Sequence, residues 1–168
     1  SVEGGAIVFR HKEDLDRATQ LINFGIAGPD RIETLGINAK MNEFQAAMGL
    51  CMLDEIEQNL TARAAVWQQY QEALRDDYQL QARNEAATNN YAYAPLLLES
   101  EDELEQVLAA LEQVGVSARR YFYPSLDTLD FLSHAGAQAL HSNDIARRIL
   151  CLPIYAGLQP DEIDLITR

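Results

Sequence analysis

The chain has 168 residues, 48% hydrophobic and 23% charged, a globular balance that fits one domain or a domain plus part of another. Its 26 acidic and 13 basic residues give a net charge of −13. That excess argues against a general nucleic-acid binder, which needs a basic surface to displace counterions. It leaves room for a local basic pocket that takes an anionic small molecule.

"GGAIVFR", residues 4–10, is short and apolar with glycines in front, and predicts a strand. In "KEDLDRATQLINFG", Leu15, Ala18, Leu21 and Ile22 recur at helical spacing, Glu13 and Asp14 stand in the first turn, and Gly25 marks the end. Residues 25–37 carry Gly, Pro and Asp and read as a loop. A helix follows, with Asn42 as its cap and Gln45 completing a capping box. Met41, Phe44, Met48, Cys51, Met52, Ile56 and Leu60 form its apolar stripe, and small or apolar residues cover much of the rest. A helix apolar nearly all round is expected to be buried on several sides. Residues 62–78 continue helically, with Ala62, Val66, Tyr70, Ala73 and Leu74 on one face.

The rhythm then changes. "YAYAPLLLE", residues 91–99, predicts a strand, and Pro95 within it suggests an edge or a bulge. Ser100 and Glu103 form a capping box for a helix over 101–113, with Leu104, Val107, Leu108 and Leu111 inward and Gly115 as the stop. "VSARRYFYP", 116–124, predicts a second strand. A loose segment over 125–138 leads to a helix near 139–149, a short strand "LCLPI", and a last helix with Pro160 in its first turn. The succession points to an α/β or α+β architecture.

Cys51 and Cys151 lie in the apolar contexts "GLCML" and "ILCLP", outside any CxxC or Cys/His spacing. They read as buried, reduced thiols of a cytoplasmic protein rather than zinc ligands. No apolar run reaches the ~20 residues of a membrane span, and no signal peptide is visible. The chain opens "SVEGGAIVFR", without methionine, and closes about two turns into a helical pattern, so it reads as a piece of a longer polypeptide.

Three clusters bear chemistry. Asn38 and Lys40 place an amide and an ammonium on the lead-in to a helix, whose first N–H groups are unsatisfied and partly positive. That combination suits a phosphate. The simpler alternative is a capped helix beside a solvated lysine. In "ARRYFYPSL" side chains alternate along a strand, so Arg119, Tyr121 and Tyr123 are expected on one face. Arginine beside tyrosine suits a phosphorylated, ring-bearing ligand; a paired-arginine sheet face is the alternative. Glu3-Gly4-Gly5 permits close backbone approach or forms an ordinary tight turn. His11, His134 and His141 are scattered in polar contexts and read as surface residues, with no triad or metal set.

"SVEGGAIV", "INFG" and "LGINAKMNEFQAAMGL", in this order and spacing, resemble the DegT/DnrJ family of sugar aminotransferases, fold-type I enzymes that use pyridoxal 5′-phosphate. "GVSARRYFYPSL" and "CLPIYAGLQPDEID" look like the family's carboxy-terminal segments, so the resemblance spans essentially the whole chain. It implies an α/β arrangement in three parts. Residues 1–37 would be an edge of the cofactor domain, 38–78 interface and spanning helices, and 79–168 a small domain with a short, mainly antiparallel sheet covered by helices. The family's Schiff-base lysine lies a few residues before the E-G-G element and would fall upstream of Ser1. Lys12 and Lys40, the two lysines here, stand elsewhere, so the 168 residues alone are expected to be inactive and to contain no catalytic residue.

By the same resemblance, the loop carrying Asn38 reaches a neighbouring subunit of a homodimer and contacts the cofactor phosphate there. Lys40 matches a position often held by arginine, and keeps the charge without the bidentate fork. Ile37 stands where tyrosine is common, and Tyr121 where histidine is common. Arg119, Tyr121 and Tyr123 would line the entrance for a sugar carried on dTDP or UDP, with glutamate as amino donor. "RRYFYP" itself is similar to the branch acting on nucleotide-linked keto-6-deoxy hexoses. A different class stays open: a non-catalytic dimerisation or binding module that lacks the lysine.

Overall fold

A computed structural model of the chain describes residues 2–132 and 139–168. It divides into two compact units, Ser1–Ile56 and Glu57–Arg168. Among the described residues the architecture is mixed α/β, with six α-helices and two short antiparallel sheets.

The first unit holds α1 (Lys12–Leu21), the strands β1 (Ile26–Gly28) and β2 (Arg31–Ile32), and α2 (Glu43–Asp54). Segment 4–10 belongs to neither sheet, against the predicted strand. A strand exists only through a hydrogen-bonded neighbour, and Ile7 and Val8 stand exposed. The predicted loop over 25–37 instead contains the β1–β2 hairpin, joined by Pro29 and Asp30, a pair suited to a tight turn. Gly25 closes α1 as expected. It lies at φ +76, its N–H donates to the Gln20 carbonyl over 2.8 Å, and an added Cβ would sit 1.7 Å from the Thr34 carbonyl oxygen. Only glycine fits there.

α2 starts on the expected capping box. Asn42 Oδ1 accepts from the Gln45 N–H over 2.9 Å, and Gln45 Oε1 accepts from the Asn42 N–H over 3.4 Å. Burial does not follow: α2 has no buried residue, and Phe44 is 90% and Leu50 66% exposed. Cys51, expected inside, is therefore exposed. Apolarity on all sides states what a helix needs to bury, not that its own chain supplies the cover.

The second unit has a core. α3 (Ile56–Leu74) buries Val66, Trp67, Tyr70 and Leu74, one face at i, i+4, i+8 spacing. Ala73, expected on that face, is exposed, and Trp67 takes its place. α4 (Glu101–Gln113) buries Leu104 and Leu111, with Val107 and Leu108 packed against the core. Its cap is a variant of the expected box. Ser100 accepts from the Glu103 N–H over 3.1 Å, but Glu103 reaches one residue further back, to the Glu99 N–H over 2.7 Å. α5 (Leu140–Arg148) and α6 (Pro160–Thr167) complete the helices, and Gly115 ends α4 at φ +78.

Beneath these helices lies a three-stranded antiparallel sheet in the order β3 (Gln79–Leu80), β4 (Ala94–Leu97), β5 (Ile149–Leu152). Pro95 thus sits on the central strand, not an edge. The Leu98 N–H donates to the Arg148 carbonyl over 3.0 Å, so Leu96 and Ala94 face β5 and Pro95 faces the β3 side. β3 ends at Leu80, opposite Leu96. The missing N–H of Pro95 falls one residue past the last β3 partner, so the rule against proline in a sheet holds locally.

The predicted strand over 116–124 shrinks to one bridge. Arg119 donates its N–H to the Cys151 carbonyl over 3.0 Å, and Cys151 donates back over 2.8 Å. At Tyr121 and Phe122 the chain turns away from the sheet.

Candidate functional site

In the first unit Asn38 and Lys40 are brought together, as the sequence suggested. The backbone places them. Ile37 N–H donates to the Leu21 carbonyl over 2.8 Å, Ala39 N–H to Ile22 over 3.0 Å, and Phe24 N–H to Ile37 over 3.2 Å. These bonds bind the loop to the end of α1. Gly36 lies so close that an added Cβ would be 2.3 Å from the Gly25 nitrogen. Lys40 Nζ donates to Asn38 Oδ1 over 2.8 Å and to Asn23 Oδ1 over 3.0 Å, and sits 4.5 Å from the centre of the Phe24 ring. The ammonium thus consumes both amide oxygens. Asn38 Nδ2 has no partner among the described residues and stays available to an acceptor. Asn23 and Phe24 were missed as members of this cluster; "INFG" shows them, but no local pattern ties them to a lysine 17 residues on.

The donor set of Lys40 and Asn38 fits a phosphate: one cation, one amide N–H group, and a loop tied down by backbone bonds. Glu3-Gly4-Gly5 gives less. Val2 and Glu3 are in the left-handed region at φ 48 and 67, yet an added Cβ on Gly5 meets nothing within 4 Å in this chain.

The second unit holds the other cluster. Arg119 Nη1 donates to the Tyr121 hydroxyl, as the shared face required. Tyr123 does not join them. Its ring lies 3.7 Å from the Arg120 guanidinium, because the turn at Tyr121 breaks the alternation a strand would have kept. Arg120 in turn is fixed by Glu101 over 2.6 Å and by the Arg147 carbonyl over 3.2 Å, so it serves the structure. In place of Tyr123 stands Tyr93, which sequence reasoning passed over. Its ring meets Tyr121 at 5.5 Å and Phe122 at 6.2 Å, both edge to face, while Tyr121 and Phe122 stack at 4.8 Å. Tyr93, Arg119, Tyr121, Cys151 and Pro153 line a cleft of about 210 Å³. Burial pushes the Cys151 thiol up.

Two buried features steady this wall. Tyr70, fully buried, donates its hydroxyl to the Pro153 carbonyl over 2.8 Å, and burial raises its phenol far above the ordinary range. Asp127 ties the 3₁₀ turn Leu126–Thr128 to α5. Its carboxylate accepts from Ser125 Oγ over 2.6 Å, from the Ala139 N–H over 2.8 Å and from Asn143 Nδ2 over 2.6 Å. Ala139 has no side-chain oxygen with which to cap α5, and Asp127 supplies one from 12 residues away. The Ser125 hydroxyl first, then the Ala139 N–H and the Asn143 amide, hold its carboxyl below the usual range. His11 and His141 are exposed, and His134 lies outside the described residues. Among the described residues no helix is long and apolar enough to cross a membrane.

Comparison with known proteins follows the same lines. The model of the DegT/DnrJ/EryC1/StrS aminotransferase family matches residues 1–168. A dTDP-4-amino-4,6-dideoxy-D-glucose transaminase from Shigella dysenteriae is 32% identical over 170 residues, covering 98% of this chain and 46% of that protein. One of the same name from Escherichia coli is 32% identical over 174 residues, covering 99% of this chain and 47% of that protein. The chain therefore spans about half the length of the curated relatives it matches. The crystal structure of a DegT DnrJ EryC1 StrS aminotransferase from Brucella abortus superposes with a TM-score of 0.84 at 23% identity, over 94% of this chain and 42% of that one.

Proposed function

The chain belongs to the DegT/DnrJ/EryC1/StrS aminotransferase family, and from that premise we propose that its full-length parent is a pyridoxal 5′-phosphate-dependent transaminase. It moves an amino group from glutamate to a keto-deoxy sugar carried on dTDP or UDP, in the cytoplasm, toward cell-surface polysaccharide or antibiotic sugars. The names of the Shigella and Escherichia relatives support the sugar and the nucleotide. Residues 1–37 form an edge of the cofactor domain, 38–78 the interface and spanning helices, and 79–168 the small domain.

The observation that carries the reading is the convergence of Lys40 on Asn38 over 2.8 Å with the Asn38 amide N–H group unspent. In the homodimer this pair holds the coenzyme phosphate of the neighbouring subunit. When bound, the coenzyme supplies an electron sink next to the reacting carbon. Asn38 and Lys40 anchor it. Arg119 and Tyr121 orient the nucleotide sugar at the cleft mouth, and Tyr123 contributes from the rim beside Arg120. The uncovered apolar surface of α2, with Phe44 90% exposed, supports a second copy as its cover. The family's Schiff-base lysine stands just before the E-G-G element, a position that neither Lys12 nor Lys40 holds, so the 168 residues alone are expected not to transaminate.

In the full-length dimer, Asn38→Ala weakens coenzyme retention by on the order of 1.5–3 kcal/mol, the worth of a charge-assisted hydrogen bond. Dialysis against apo-enzyme, read by coenzyme absorbance, measures it, and unchanged affinity rejects the phosphate role. A panel of nucleotide-linked keto sugars given to the full-length enzyme with glutamate then identifies the acceptor.

A further inference from the structure

Arg83 is held in an unusual way. Its guanidinium carbon lies 4.3 Å from the centre of the Trp67 ring and 5.0 Å from that of Tyr91. A guanidinium carries five N–H donors, so two ring contacts alone do not use up its hydrogen-bonding capacity. Among the described residues they find none: Arg83 forms no salt bridge, and its Nε is buried without a hydrogen-bond partner. Trp67, 3% exposed, has an equally unpartnered Nε1, and so has Nε of Arg63, one turn earlier on α3. A buried donor without an acceptor costs about 1–3 kcal/mol. Three of them around one pair of helical neighbours and one clamped arginine mark a place short of acceptors.

The adjoining cleft, about 700 Å³, has the matching character. Arg83, Asn84, Asn89, Asn90 and Tyr93 line it, with Glu85 as its one carboxylate. Each asparagine spends its side-chain oxygen on a backbone N–H: Asn84 on Ala86 at 3.0 Å, Asn89 on Tyr91 at 2.9 Å, Asn90 on Ala92 at 3.0 Å. Their Nδ2 groups are left as donors. The walls therefore offer hydrogen-bond donors and a cation, and ask for a ligand rich in acceptor oxygens. Ala92 and Tyr93 also line the cleft of Arg119 and Tyr121, so the two clefts share a wall. Desolvation lowers the Arg83 pKa, in keeping with a cation that gains from a bound counter-charge.

We propose that Arg83, clamped between Trp67 and Tyr91, is an oxyanion receptor, and that the group it takes is the pyrophosphoryl of the nucleotide-linked substrate whose sugar end occupies the neighbouring cleft. The second half of that statement rests on the functional reading above; the first half does not.

Trp67 is the only tryptophan of the chain, so its emission reports the site directly. The test titrates the whole chain with inorganic pyrophosphate at constant ionic strength, and separately with glutamate. The wild type gives a saturable emission change with pyrophosphate and none with glutamate. Arg83→Gln weakens pyrophosphate about tenfold or more, and Arg83→Lys, which keeps the charge and loses the fork, falls between. If Arg83→Gln fails to fold by circular dichroism, Asn90→Asp decides. It preserves the oxygen that holds the Ala92 N–H, replaces the donor by a negative oxygen, and weakens pyrophosphate. No saturable change, equal affinity in the variants, or a response to glutamate instead of pyrophosphate overturns the inference. A negative result here leaves transamination standing, because that is decided by turnover of the full-length dimer; absent turnover there leaves pyrophosphate binding measurable here.

Discussion

The two units reach order by different means. In Glu57–Arg168 order rests on burial: Leu104 and Leu150 are 0% exposed, Tyr70 likewise, and the sheet lies beneath α3, α4 and α6. In Ser1–Ile56 it rests on backbone bonds. The loop 36–39 is stitched to the end of α1, two glycines allow the stitching, and no helix there buries a side chain. The contrast teaches that a well-formed local structure and a self-sufficient core are separate achievements. It also matches chemistry to scaffold: the first unit presents main-chain-positioned polar groups, and the second presents rings and guanidinium groups set by packing.

Substitutions can break or sharpen that contrast. The largest effect is expected from Leu104→Ala in the second unit, about 3–5 kcal/mol for a fully buried leucine. Urea unfolding followed by Trp67 emission measures it, since that residue reports the second unit alone. Tyr70→Phe comes next, at about 1–3 kcal/mol, because the Pro153 carbonyl loses its buried donor. Unaltered stability would show that water replaces the hydroxyl. Asp127→Asn acts through pH. The native carboxyl titrates below its unfolded value, so its contribution is present above the ordinary carboxylate pKa, about 3.9, and is lost as pH falls through the lower folded value. The variant should flatten that part of the acid unfolding curve and leave the neutral side sloping as before. The smallest effect is expected from Phe44→Ala in the isolated chain, within about 0.5 kcal/mol for an exposed side chain. A loss comparable to that of Leu104→Ala would mean that α2 is covered after all, and the contrast between the units would fall.

Much of this was legible in the residues themselves. Asn42 with Gln45, and Pro160 in a first turn, fixed helix starts because caps are local chemistry. Leu104 and Leu111 named the α4 face because periodicity is local too. The misreadings share a cause. The strand over 4–10, the strand over 116–124 and the edge position of Pro95 depend on which segment lies alongside, and a single run of residues carries no record of its neighbour. The candidate site followed the same rule. Asn38 with Lys40, two positions apart, could be read, and so could Arg119 with Tyr121. Asn23, Tyr93 and Arg83 could not, because each meets its partners across a turn of the fold. Tyr123 leaves the face shared by Arg119 and Tyr121 because the chain turns two residues earlier than alternation assumed.

The sheet of the second unit ends abruptly on both sides, with the two residues of β3 at one margin and the lone Arg119 bridge at the other. An open margin is a template for another molecule's backbone, and long flat margins seed amyloid. Here one margin is too short to template, with a proline facing its end, and the other bends away after a single residue. The fold thereby guards against self-association through its strands while leaving its helices and clefts free to engage partners.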